Sequence, residues 1–447
     1  MRQRQARPTF LLAIGAVFVA GVFSSAAWGQ SSAPLYSRER LAQHGLVRAF
    51  FTQVQLDPAR TRVTHFILDG DLLLIQTSAS TLHAIDAETG VTRWTRQVGD
   101  PRHPTLRAAV NAKWVAVING SWIYVLDRHD GRILWSARSD GAPGAGPALS
   151  SQRVYVPALD GKVFAYRIDR IISPPSEDIS VRAARITTGE TPLLKPEVPV
   201  RVVPLVSNSF GAVIIQPILT HEEAGEERVA WGTDRGFLFL GVINRLREEE
   251  FPFIYRVDAA GGIVAQPTYL RPDPARGRNF GMLFVVSGGG FVYAIRERDG
   301  KALWRFSVGE PIYEPVAALG EDVFVTSVLG RICCLSVEDG SLKWAAPACK
   351  KFVAASADKV YAVDGLDQLR VLRRDTGILI DTIDISPLPI RLLNMETDRI
   401  YLATPWGLVQ CWREQNLEQP IRHQPEPASE DRGQSKEGSE SPEKLSP

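Results

Sequence analysis

The sequence of 447 residues predicts an all-β fold, an eight-bladed β-propeller of four-stranded antiparallel blades. Three observations predict it. An Asp…Gly…Trp turn motif recurs at a spacing of about 40 residues. Strand–hairpin–strand signals recur at the same period. Helical periodicity is confined to one short segment of the mature chain.

The turn motif is clearest where Ala84-Ile85-Asp86-Ala87-Glu88-Thr89-Gly90 leads to Trp94. Asp127 and Gly131 lead in the same way to Trp135. Asp299-Gly300 leads to Trp304, and Asp339-Gly340 to Trp344. A decayed copy has Asp375-Thr376-Gly377 with Asp381 where Trp would stand. Asp suits such a turn because its carboxylate accepts hydrogen bonds from nearby backbone N–H groups. Gly supplies the left-handed conformation the turn needs. The Trp that follows can cover apolar surface between neighbouring sheets while its N–H finds a partner.

The hairpin signals centre near Ser80, Gly120, Gly161, Gly236, Gly289, Gly330, Gly365 and Gly407, which makes eight. Asn119-Gly120 and Asp160-Gly161 between β-rich runs are the strongest of them. Two intervals exceed the common period. The Pro-rich stretch 173–199, the acidic run 248–250 and residues 271–278 account for the excess as loops. Four strands per unit at this period mean propeller blades, and ring closure leaves only short, protected sheet edges.

Around the repeats the chain divides into 1–29, a signal peptide; 30–62, a lead-in; 63–423, the propeller; and 424–447, a tail. The first segment carries Arg2, Arg4 and Arg7, an apolar run over 10–23 and then small residues, with cleavage expected near Gly29. The run is shorter than the ~20 residues of a membrane-spanning helix; an uncleaved anchor is the alternative. In the lead-in, Leu46, Val47, Phe50, Phe51 and Val54 recur at helical spacing and predict a helix over 41–54. The tail is poor in apolar residues and rich in Pro, Ser, Glu and Lys, the composition of a disordered segment.

The repeats and their tryptophans resemble the docking motif of the pyrroloquinoline-quinone (PQQ) repeat propellers, over about residues 63–415. The resemblance implies one of two roles. Quinoprotein dehydrogenases bind PQQ and calcium in the ring centre. BamB-like propellers are non-catalytic binding scaffolds of the cell envelope. The mature chain has about the size eight bare blades require, which favours the scaffold. The expectation is therefore an exported, monomeric propeller with a protein or peptide partner in the envelope and no cofactor. A PQQ-dependent dehydrogenase and a propeller that senses a small ligand in its channel are the alternatives. A net charge of +1 argues against nucleic acid as a partner.

No complete catalytic constellation is legible. Cys333-Cys334 resembles the adjacent cysteine pair of quinoprotein dehydrogenases. Counted from the hairpin glycines, however, Cys334 occupies the place of Ala165 and Cys411, a small-residue core position. Adjacent strand residues point to opposite faces, so the two thiols should not meet. The seven histidines show no paired metal-ligand spacing. Ser356-Ala357-Asp358-Lys359 matches a Ser-x-x-Lys string in a linker without companion motifs. Glu222, Glu223, Glu226 and Glu227 flank Gly225; they lack the alternating pattern of a calcium loop and read as a solvated loop.

Overall fold

A computed structural model describes residues 36–172, 202–223, 225–244 and 246–424. The segment 1–29 expected to be a signal peptide, the stretch 173–199 and the tail from residue 425 lie outside the described residues. Eight four-stranded antiparallel sheets follow one another around a ring. Blades 1 to 7 span 63–97, 109–138, 148–208, 219–258, 268–307, 317–347 and 351–384. Each runs in simple order from its inner strand to its outer one. Blade 8 takes three strands from 390–414 and its outermost strand from Leu46–Gln53.

The eight hairpin signals all join the second and third strands of a blade. These central strands are covered on both faces. Leu72–Thr77 is buried at every position, whereas the outer strand Thr92–Gln97 buries only Trp94. Antiparallel order puts every second-to-third hairpin, and every crossing to the next blade, on one face of the ring. We call it the hairpin face. The Asp–Gly turns lie on the opposite, turn face.

The apolar residues gather into eight clusters, and each joins two adjacent blades. One of them packs Phe50, Tyr401 and Cys411 against Phe66, Leu73 and Ile85, so blade 8 meets blade 1 and the ring is closed.

The helix expected over 41–54 is corrected. A short helix covers Arg38–Gln43, capped by the Ser37 side chain. Gly45, at φ 71°, then turns the chain into the strand Leu46–Gln53. The misleading signal has a cause. The pairing register slips between Arg48 and Phe50, a bulge that transfers the following residues to the other face. Leu46 therefore packs toward blade 7 and Phe50 toward blade 1. Apolar residues four apart suggest one helical face; here they are two faces of a bulged strand.

Candidate functional site

The repeat residues form docking contacts between adjacent blades. Trp94 of blade 1 lies over Gly131 in the turn of blade 2, where a Cβ would stand 2.5 Å from the indole. Gly131 holds φ 69°. The indole N–H donates to the Arg128 carbonyl at 2.7 Å. Trp304 does the same over Gly340, donating to Val337, and Trp344 over Gly377, donating to Arg374. Asp86 accepts from the backbone N–H of Thr89 at 2.8 Å, and Asp127 from that of His129 at 2.7 Å. Gly90 and Gly300 are covered by other residues. Phe50 covers Gly90, and Tyr255 covers Gly300 while donating to the Glu297 carbonyl. Trp135 is buried, but its N–H has no partner among the described residues; blade 3 carries a short helix, Asp169–Ile172, after its third strand. These residues couple blades.

All four cysteines are free and buried. Cys333 packs between blades 5 and 6 and Cys334 between blades 6 and 7. Burial pushes the Cys333 thiol up to about 11 and that of Cys334 higher still. Both are poor nucleophiles.

The acidic cluster is not a solvated loop. Its glutamates pair across a hairpin, Glu222 with Glu227 and Glu223 with Glu226. Each has a partner that the local sequence does not show. Glu227 is buried with Arg153 and accepts from the Tyr155 hydroxyl at 2.6 Å. Glu222 accepts from the Ser151 N–H, and Glu223 from the Tyr269 hydroxyl at 3.2 Å. His221, Glu223 and Glu297 converge closely enough to hold a metal ion. Arg228 already lies among them, bonded to Glu297 and, at 2.9 Å, to Glu226. His221 Nε2 lies 2.8 Å from Glu297, and its ring stacks on Tyr269 at 4.0 Å. The cluster is an inter-blade ion-pair network with its own cation.

Two surfaces remain. The first is the central channel, a cavity of about 750 Å³ walled by the innermost strand of every blade or the residues leading into it. Pairing places His65 of blade 1, Arg107 of blade 2, Gln266 of blade 5 and Lys351 of blade 7 at one level of the channel. Arg107 reaches across to Gln266 Oε1 at 3.4 Å. Burial, then the Arg107 charge, holds His65 below the usual imidazole range. At the turn end stand Asp69 and Glu396, both raised first by burial. No local motif marks these residues. Only superposing the blades on their hairpins would reveal them.

The second surface is the hairpin face. Tyr313, Val328, Leu329, Leu366 and Trp406 are exposed on the crossing into blade 6 and on the tips of blades 6, 7 and 8. Leu329 and Leu366 are 75% and 77% exposed. The Arg62 guanidinium lies over the Trp406 ring at 3.9 Å. The turn face exposes Val91, Leu246 and Ile378, with Ile133 and Leu342 beside the turns of blades 2 and 6. Among the described residues no helix is long and apolar enough to cross a membrane.

No curated protein sequence matches the chain. Among solved structures, BamB from Moraxella catarrhalis is similar at TM-score 0.56 and 12% identity, covering 82% of this chain and 98% of that one. The computationally designed Ika8 protein is similar at TM-score 0.55 and 13% identity, covering 79% and 96%. At such identities the likeness is one of fold. The model of the family described as outer membrane protein assembly factor BamB matches residues 28–170 and 255–428. The unmatched stretch includes most of blade 4, where Tyr255 replaces the docking Trp. With more than half its length matched, this chain belongs to the BamB-like family of PQQ-repeat propellers.

Proposed function

We propose that the protein is an exported, non-catalytic docking scaffold of the cell envelope, and that its partner protein seats on the hairpin tips of blades 6 to 8. One observation carries the reading: the run of exposed apolar side chains from Tyr313 through Leu329 and Leu366 to Trp406. Exposed apolar side chains gathered on one face of successive blades mark an interaction site, and aromatic anchors with an arginine beside them are the usual energetic centres of interfaces. The family description, which names outer-membrane protein assembly, supports a partner in that compartment.

The dehydrogenase alternative has less support. Calcium beside a quinone needs several oxygen ligands. The level of the channel described above holds Arg107, Lys351, His65 and Gln266, and the carboxylates nearer the turn end are engaged, Asp69 by Arg128 and Glu396 by the Gly70 N–H.

The test is capture of envelope proteins by the purified chain. The double variant Leu329→Asp, Leu366→Asp should melt like the parent, because exposed substitutions change stability by about 0.5 kcal/mol or less. It should lose the partner that the parent recovers. Equal recovery would remove this face from the interface. Recovery of the chain from the cytosol with Met1 intact would remove the export.

A further inference from the structure

The channel holds a feature that protein docking on the hairpin face does not use. Arg107 projects into the cavity with one long hydrogen bond, to Gln266. Among the described residues it has no carboxylate partner. A guanidinium carries five N–H donors, so most of its capacity faces the cavity unused. Arg391 of blade 8 lines the same cavity. Asp367 accepts from its Nη1 at 2.8 Å, and its Nε and Nη2 are buried with no partner among the described residues. Lys351 adds a third cation to the wall.

The three carboxylates of the wall, Asp69, Glu314 and Glu396, form no ion pair with Arg107 or Lys351 among the described residues. Asp69 is held by Arg128, whose Nη1 lies 2.5 Å from it. Glu396 accepts from the Gly70 N–H at 2.7 Å. Both stand at the turn end of the channel. Glu314 is the one carboxylate toward the hairpin end, and no ion pair joins it to Arg107, Lys351 or Arg391 among the described residues.

Arg107 and Lys351 are half-buried in the channel wall, and a cation held there without a carboxylate partner stays available to an anion that enters the channel. Guanidinium forks match carboxylate and phosphate oxygens in geometry and charge. The cavity of about 750 Å³ is within the range of small-molecule sites. We propose that the channel binds a small polyvalent oxyanion, with Arg107 and Lys351 as its principal ligands and the Gln266 amide as a further donor. The site is separate from the docking face, and either can exist without the other.

The experiment is calorimetric titration of the mature protein with citrate, succinate and inorganic phosphate at low ionic strength. Citrate or succinate heats without phosphate heats would identify a carboxylate ligand, and the reverse a phosphate ligand. Arg107→Gln should weaken that binding roughly tenfold or more, the worth of a charge-assisted contact. The same variant should melt no lower than the parent, because it removes an uncompensated charge. Arg107→Lys, which keeps the charge but loses the fork, should bind with intermediate strength. Absence of binding by all three anions would overturn the proposal. So would equal binding by parent and Arg107→Gln, or an Arg107→Gln variant whose melting temperature falls sharply, which would make Arg107 a structural strut.

Discussion

Each docking tryptophan performs two tasks, and one pair of residues separates them. Trp94 covers the Gly131 turn and donates to the Arg128 carbonyl. Trp135 is equally buried but donates to nothing among the described residues. Phe in either place keeps most of the apolar contact. At Trp94 it also strands a buried carbonyl, a loss of about 1 kcal/mol. At Trp135 it removes an unsatisfied donor. Urea unfolding should therefore find Trp94→Phe the more destabilising by at least about 1 kcal/mol; equal costs would mean the indole hydrogen bond contributes nothing. His83 gives a second residue-scale expectation. It is buried in blade 1 with Nδ1 3.1 Å from the Thr95 hydroxyl, and burial pushes its pKa down to about 4 from the ordinary 6.5. The unfolded chain therefore binds a proton that the folded chain refuses. Stability is full above about 6.5 and falls as pH drops toward 4. Replacing His83 by Leu should flatten that part of the acid limb; an unchanged slope between pH 7 and 5 would show that other groups cause it.

Among the elements, the strand Leu46–Gln53 bears the most on the ring. It covers the outer edge of Leu408–Glu414 and supplies residues to two inter-blade cores. Removing residues through Gln53 should leave a three-stranded blade 8 with a bare edge, and bare edges recruit other chains. The truncated protein should melt lower and self-associate on size-exclusion chromatography; an unchanged monodisperse species would show that closure is dispensable. This strand also shows why parts of the fold were hidden in the sequence. The hairpins and Asp–Gly turns were legible because their chemistry is contained within a few residues, Asp86 and Thr89 for instance. The strand was not, because its partner lies at the other end of the chain and its bulge imitates a helical spacing. The acidic hairpin was misread for a related reason. Arg153, Tyr155 and Tyr269, which complete it, come from neighbouring blades. Likewise, the cations of the channel come singly from separate blades, so no local string displays them.

At the scale of the whole molecule, no blade owns a core; every apolar cluster is divided between two neighbours. The rigid ring this makes can hold loop tips at fixed separations, which is what a docking surface requires, since pre-organisation lowers the ordering cost of binding. Closure through Leu46–Gln53 also imposes an order on biosynthesis. A ribosome releases this strand among the first and its partner Leu408–Glu414 among the last. The thermodynamic penalty for so long a loop is modest, about 0.6 kcal/mol for each doubling of its length. The temporal one is not, because distant pairings form late. Until the eighth blade emerges, Leu46 and Phe50 have no place to pack, and the nascent chain carries an unpaired strand while seven blades are made. A folding helper that shields this strand, rather than its partner, would protect the nascent chain for longest.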